Sequence, residues 1–261
     1  MTCTRPFFNR GELTSCGKCE ACLSTKSFQW TLRLRDELRY HDKSVFLTLT
    51  YDDENLEDIN RRDVQLFLKR LRKEIQPKKI KYFGCAHYGS KTFRPHYHMI
   101  IFGIGGLAEL KVYCLHGHSS SRLIDKVWSK GSCHIGTVTA KSIGYVTGYL
   151  RKKRELPYVL QKKCFNFQSQ GLGLACALQE KEKIMSGRYL YEGKEVRIPR
   201  YYLNKLELEL SDSEREKLER IKKRAIEARR YEIDYDQHDG KYLPQEEAVL
   251  EARKMFSKDV I

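Results

Sequence analysis

The chain has 261 residues, of which 41% are hydrophobic and 32% charged. That length suits one or two packed domains, and the composition argues against wholesale disorder. Lysine and arginine total 49 against 34 aspartates and glutamates, a net charge of +15, which points to a polyanionic partner, most often nucleic acid. No apolar run approaches the roughly 18–20 residues that cross a bilayer, and residues 1–10 have no apolar stretch of the signal-peptide kind. The expected location is the cytoplasm, with no membrane partner. In that compartment the nine cysteines are not expected to form a disulfide framework.

Cys16, Cys19 and Cys22 form a C-x2-C-x2-C run in a short polar segment, with Cys3 upstream. Four cysteines have the count of a tetrahedral structural zinc site; an iron–sulfur cluster and unmetallated thiols are the alternatives. From Leu23 to His41 the apolar spacing of three and four predicts a helix through Phe28, Leu32 and Leu38. Val45–Tyr51 alternates and is β-branched and aromatic, hence a strand. Asn60 is placed to cap a helix from Arg61 to about Glu74, with Val64, Phe67, Leu68 and Leu71 on one face and Pro77 beyond its end. Ile80–His87 and His96–Gly103 read as two further strands. Ser119–Trp128 reads as a short helix, Cys133–Val138 as a fourth strand and Lys141–Lys153 as another helix. The order β-α-β-β-α-β-α predicts an α+β fold with a split βαβ arrangement on a largely antiparallel sheet. Residues 154–200 show no clear pattern. From Leu206 to Tyr231 charges alternate densely at helical spacing, as in a solvated helix or helical hairpin. The expected division is a cysteine-rich segment with its helix (1–42), a core (43–155) and a basic, aromatic and helical accessory region (156–261).

His96 and His98 lie two apart in a strand, so their imidazoles share one face. Such a pair is a natural half-site for a divalent cation, although two histidines on a solvated sheet face look the same in sequence. Eight residues separate His87 from His96. If the two strands form a hairpin, His87 lies about opposite His96 and joins the pair; a slip of one residue would send it to the other face.

Tyr145 and Tyr149 lie one helical turn apart, and Lys152 and Lys153 follow. Tyrosines at this spacing often only pack a core. Gly144 and Gly148 thin the helix around them, and a phenol near cations can be activated as a nucleophile toward phosphorus. Arg61–Lys81 carries nine basic and two acidic residues, and Arg151–Lys163 six basic and one acidic. Phe165, Phe167, Tyr189, Tyr191, Tyr201 and Tyr202 interleave with basic residues further on. Cationic tracks with aromatics suit single-stranded nucleic acid. Cys114, His116, His118, Cys133 and His134 match no standard metal module in their spacing, and no nucleotide-motor G-x4-G-K-[ST] motif is present.

Taken together, Phe46–Tyr51 (FLTLTY), Arg94–Gly103 (RPHYHMIIFG) and Tyr145–Lys153 (YVTGYLRKK) resemble the three motifs of HUH endonucleases. Trp128, Gly131, Ile135, Gly136 and the Cys16/Cys19/Cys22 run narrow this. The chain is similar to replication initiators of small single-stranded DNA phages, the microviruses and especially their gokushovirus-type branch, from Cys3 to about Lys153. The resemblance implies an HUH fold and a nickase that starts rolling-circle replication on single-stranded origin DNA. It implies a Mn2+ or Mg2+ ion on His87, His96 and His98. It also implies attack on the scissile phosphate by Tyr149 or Tyr145, with Tyr149 favoured first, and Lys152 offsetting phosphate charge. Arg94, Arg151 and Lys153 would contact DNA, Cys3, Cys16, Cys19 and Cys22 would hold Zn2+, and host replication proteins would extend the free 3′ end. One departure stands out: the family usually has Glu before Tyr-Gly, where this chain has His87-Tyr88-Gly89, so the ligand set becomes all-imidazole and softer ions gain. A relaxase, a plasmid initiator or a single-strand transposase of the same superfamily would carry the same motifs. A non-catalytic, zinc-containing nucleic-acid-binding regulator is the distant alternative.

Overall fold

The computed structural model describes residues 3–9, 12–115, 118–207 and 210–231. The chain divides into two compact units, one of residues 30–176 and one of residues 1–29 with 177–261. Helix α1 (Glu20–Leu38) runs through the boundary.

The 30–176 unit is built on a five-stranded antiparallel sheet: β1 (Ser44–Tyr51), β2 (Lys81–Tyr88), β3 (Pro95–Phe102), β4 (Gly131–Thr137) and β5 (Phe165–Gln168). Their order across the sheet is β4-β1-β3-β2-β5, with each neighbouring pair antiparallel. Strands β1 and β2 therefore run the same way with β3 inserted between them, and the connection from β1 to β2 passes through helix α2 (Arg61–Glu74). This is the split βαβ arrangement that the order of elements predicts.

Alternation sorts the strand residues onto two faces. Leu47, Leu49, Tyr97, Met99 and Ile101 pack with Val64, Phe67, Leu68 and Leu71 of α2 and with Ile124, Val127 and Trp128 of α3 (Arg122–Trp128). Asn60 caps α2 through its side-chain oxygen, which accepts the Arg62 N–H at 2.8 Å. On the other face Phe83, Cys85, Ile100 and Phe102 meet Leu34 of α1 and Ile143, Val146 and Tyr149 of α4 (Ala140–Lys152). The histidines and α4 thus share a face.

Two expectations need correction. Ser119–Ser121 does not start a helix: His118–Ser121 pairs with Val112–Leu115 as a small antiparallel hairpin. The helix begins only at Arg122 because the Ser121 hydroxyl accepts the Ile124 N–H at 3.1 Å, a cap that ends the strand and starts the helix at one residue. The unassigned stretch after residue 154 supplies β5, which pairs with β2 and completes the sheet.

In the other unit, Phe7–Asn9 and Glu12–Thr14 form a short hairpin that returns the chain toward its start. Helices follow at Arg200–Leu206 and Asp212–Tyr231. Acidic and basic side chains pair along the second of these, as between Lys222 and both Glu207 and Glu219, in keeping with its charge pattern. Among the described residues no helix is long and apolar enough to cross a membrane.

Candidate functional site

The hairpin of β2 and β3 sets the first constellation. His87 pairs directly with His96, and Cys85 with His98, so His87, His96 and His98 lie on one face of the sheet. The His96 and His98 ring centroids are 4.7 Å apart and those of His87 and His96 6.1 Å apart. His87 and His98 are buried, and His96 is half-buried. Burial pushes the His87 pKa down to about 4, with help from His96 and Lys152. It pushes that of His98 down to about 2, with His96, His87 and Lys152 adding to the effect. Burial also lowers His96, against the hydrogen bond to the Arg94 carbonyl. All three rings are therefore neutral at pH 7, the form that ligates a cation.

Their hydrogen bonds decide which nitrogen is available. His96 Nδ1 donates to the Arg94 carbonyl at 3.0 Å, which leaves Nε2 as the lone pair. His98 Nδ1 lies 2.9 Å from Thr48 Oγ1; when it donates there, Nε2 is the acceptor. His87 Nε2 is buried with no hydrogen-bond partner among the described residues. Such an orphaned ring nitrogen beside two others fits a cation, since a buried polar atom without a partner is otherwise costly. Thr48 is absent from the sequence-based site, although alternation along FLTLTY places it on the histidine face opposite His98.

Helix α4 brings both phenols to the same point. Tyr149 Oη is 3.0 Å from His98 Nε2, Tyr145 Oη 3.4 Å from it, and the two phenol oxygens are 2.6 Å apart. Tyr149 is buried at 8% exposure while Tyr145 is 41% exposed. Burial and the Tyr145 hydrogen bond raise the Tyr149 pKa above that of an ordinary phenol. Lys152 Nζ lies 4.5 Å from the Tyr145 ring centroid and 4.8 Å from that of Tyr149, a cation over both faces. A Cβ added at Gly144 or Gly148 meets nothing within 4 Å. Packing therefore does not require glycine there, although each costs the helix about 1 kcal/mol relative to alanine.

The expected DNA contacts are distributed less simply. Arg94 donates to the Tyr51 carbonyl from Nε at 3.2 Å and Nη2 at 2.7 Å, and Nη2 also reaches Asp53 at 2.8 Å. It ties the end of β1 to the start of β3. Arg151 is half-buried near the end of α4, and the side chain of Lys153 lies outside the described residues. His116 lies there as well, as does the His118 side chain.

The second constellation belongs to the other unit. The sulfurs of Cys3, Cys16, Cys19 and Cys22 all lie within 4.8 Å of one another. Cys3 to Cys19 and Cys16 to Cys22 are each 3.9 Å. Tetrahedral zinc with Zn–S bonds of about 2.3 Å sets its sulfurs about 3.8 Å apart, so this cage has the size of a zinc site. Backbone N–H groups of Lys18 and Cys19 point at Cys16 Sγ, and that of Cys16 points at Cys3 Sγ. Burial opposes charge on Cys19, but the Cys22 and Thr4 backbone N–H groups outweigh it and bring its pKa to about 6. Donors of this kind suit thiolates. Among the described residues, this is the only group of three or more such side chains whose ligand atoms lie that close together. The histidines form a looser set.

Residues 44–154 match the profile of a family described as replication-associated protein ORF2. That span runs from the start of β1 to just past α4, so it holds the three histidines and both tyrosines. The chain belongs to this family of replication-associated proteins. Its relatives include the replication-associated protein ORF2 of Spiroplasma virus 4, 30% identical over 81% of this chain and 74% of the relative. The replication-associated protein ORF4 of Chlamydia phage 1 is 28% identical over 84% of this chain and 60% of the relative. The replication-associated protein VP4 of Bdellovibrio phage phiMH2K is 33% identical over 53% of this chain and 48% of the relative. The chain thus spans less than two thirds of the latter two. No solved structure matches.

Proposed function

We propose that this protein is an HUH-type endonuclease that nicks single-stranded origin DNA to start rolling-circle replication, and that it later rejoins the strand. The supporting observation is the meeting of two phenols with three neutral imidazoles on one sheet face, with Tyr149 Oη 3.0 Å from His98 Nε2. A divalent cation held by His87, His96 and His98, Mn2+ or Mg2+, would polarise the scissile phosphate. Tyr149 Oη attacks phosphorus first. A new O–P bond joins it to the 5′ phosphate while the bond to the 3′ oxygen breaks, and the phenol proton ends on that oxygen as a free 3′-OH. Energy is kept in the ester, so rejoining needs no nucleotide. Tyr145, one turn away, can make the second attack after a round of synthesis and pass the strand on. Lys152, above both rings, offsets negative charge on the phosphate. His98 is oriented for this by Thr48.

In this reading residues 43–155 form the endonuclease core. Residues 1–42 form a segment around structural Zn2+ on Cys3, Cys16, Cys19 and Cys22, and residues 156–261 are accessory. Arg94, Arg151 and Lys153 assist DNA binding. Host replication proteins extend the 3′-OH, in the host cytoplasm. The test is incubation with labelled single-stranded origin DNA and Mn2+. A protein–DNA band that survives denaturation is expected, and its absence at every metal and origin tried would leave only a binding protein.

A further inference from the structure

The sheet has a second feature on the face away from the histidines. Phe165 and Phe167 of β5 pair with Ala86 and Gly84 of β2, so their rings share the α2 face. Phe167 needs that glycine: a Cβ at Gly84 would come within 2.5 Å of the Phe167 ring. Tyr82 extends the row, with centroids 6.2 Å from Phe167, and Phe165 to Phe167 is 6.1 Å. Along α2, Arg61, Gln65, Leu68 and Arg72 recur at four, three and four residues, one stripe of the helix. The Arg61 guanidinium lies 4.3 Å from the Phe165 centroid and that of Arg72 5.5 Å from Tyr82. Between stripe and rings runs an open cleft of about 310 Å³, lined also by Asn166 and Gln168.

Three half-buried rings beside two exposed arginines are costly to leave in water and are not needed to close the core, which Leu68 and Val64 already seal beneath them. Rings interleaved with cations are what stacked bases and their phosphates require. The volume lies at the small end of ligand pockets, about 300–1,000 Å³. The chain's charge of +15 favours a polyanion over an extended peptide added to the sheet edge.

We infer that this cleft is a second single-stranded DNA subsite, in which Phe165, Phe167 and Tyr82 stack bases and Arg61 and Arg72 hold the flanking phosphates. The inference rests on single-stranded DNA being the substrate of the histidine face. Phe165 pairs with Ala86, the neighbour of His87, so a strand leaving the histidines reaches the cleft by rounding β5. The cleft would hold DNA away from the reacting phosphate and keep the strand engaged between nicking and rejoining.

The test uses the full chain and a 24-nucleotide oligothymidylate carrying 5-iododeoxyuridine, photocrosslinked and mapped by mass spectrometry. Crosslinks at Tyr82, Phe165 or Phe167 are expected. Phe165→Ala should weaken binding about ten-fold. Arg61→Ala with Arg72→Ala should flatten the slope of log affinity against log salt by about 1.4, at 0.7 per phosphate on single strands. A merely structural role would not move that slope, and variants that unfold are recognised by circular dichroism; Arg61→Lys with Arg72→Lys, which keeps the charge, should restore the slope. Crosslinks confined to other residues, together with an unchanged salt slope, would overturn the subsite and leave the cleft to a peptide strand. The same mapping with Tyr145→Phe/Tyr149→Phe separates the two readings. Cleft crosslinks without any wild-type covalent adduct would keep the subsite and remove the nuclease. An adduct without cleft crosslinks would do the reverse.

Discussion

At Cys3, Cys16, Cys19 and Cys22 every sulfur already lies within 4.8 Å of the other three. At His87, His96 and His98 the donors share a sheet face, but the His87 and His96 rings are 6.1 Å apart and one lone pair faces two phenols. The first arrangement is closed: four like ligands, backbone N–H groups aimed at sulfur, and no position for anything else. The second is open, with three ligands and a side from which a phosphate can enter. Structural and catalytic metal sites differ in this way. The contrast also concerns what supports each site. The cysteines pack with little besides Ala21, whereas the histidines stand on a sheet with a hydrophobic layer on both faces. The closed site should therefore need its ion to stay folded, and the open site should need its ion only to work.

The largest effect should come from removing the ion at the cysteines. Native mass spectrometry should show one tightly held zinc, lost in Cys19→Ser. A strong chelator should lower the unfolding temperature by about 10 °C or more, because structural zinc supplies binding free energy that is folding free energy. If no metal is found and the chelator changes nothing, the cage is a thiol cluster and the contrast collapses.

Next in size is the open site. His96→Ala and His98→Ala should slow covalent adduct formation about 100- to 1,000-fold while the unfolding temperature stays close to wild type. His87→Glu should keep activity and shift its preference from Mn2+ toward Mg2+, as a carboxylate replaces an imidazole. Rates measured across a metal series check both. Unfolding of His96→Ala to the extent of Cys19→Ser would mean that the histidine site, too, is structural.

How far these sites could be read from sequence follows from how local they are. The histidines converge through strand alternation and one short hairpin, both visible in the order of residues. The tyrosines meet through one turn of a helix. That α4 lays them against His98 is not local: it depends on Ile143 and Val146 burying against Ile100 and Phe83. Cys3 joins its partners only because Phe7–Asn9 and Glu12–Thr14 fold back on each other, and two three-residue strands carry too little periodicity to announce that. Strand β5 was illegible for the same reason. FNFQ is four residues long, and its partner β2 lies some eighty positions earlier. The serines before α3 carry helix-capping chemistry, which hid the strand they also form.

The two tyrosines sharpen the picture of the open side. Removing Tyr149 removes the shorter contact to His98, a difference of about one hydrogen bond, or about ten-fold in rate. Single-turnover adduct formation should therefore be slowed about that much more in Tyr149→Phe than in Tyr145→Phe, and the double variant should form none while still binding DNA. Tyr145, at 41% exposure, should matter most for strand closure. Equal closure by Tyr145→Phe and wild type would reduce it to a packing residue. An adduct in the double variant would put the nucleophile elsewhere.

The smallest effect separates the two regions by acid instead of chelator. Glu37 of α1 is buried, and its carboxylate accepts from Lys81 at 2.8 Å, His41 at 2.7 Å and the Gly173 N–H at 2.8 Å. Burial alone would raise its pKa, but the Lys81 and His41 hydrogen bonds and the Gly173 N–H outweigh it and hold the carboxyl below the ordinary 4.5. The unfolded chain then binds the proton first as pH falls. The stabilisation is fully present above 4.5 and drains away below it, down to the folded-state value. Glu37→Gln keeps the shape but weakens charge-assisted bonds to a lysine and a histidine, which should cost about 1.5–3 kcal/mol at neutral pH. It should also flatten the part of the acid-unfolding curve that lies below 4.5. The metal-loaded cysteines lose their ion to protons as well, so the two contributions overlap in the wild type. In zinc-free protein only the Glu37 contribution remains. Unfolding temperature recorded against pH for wild type and Glu37→Gln, both without zinc, isolates it. Curves that stay parallel below 4.5 would mean that the buried carboxylate gains nothing from Lys81, and that the sheet unit resists acid by its apolar layers alone.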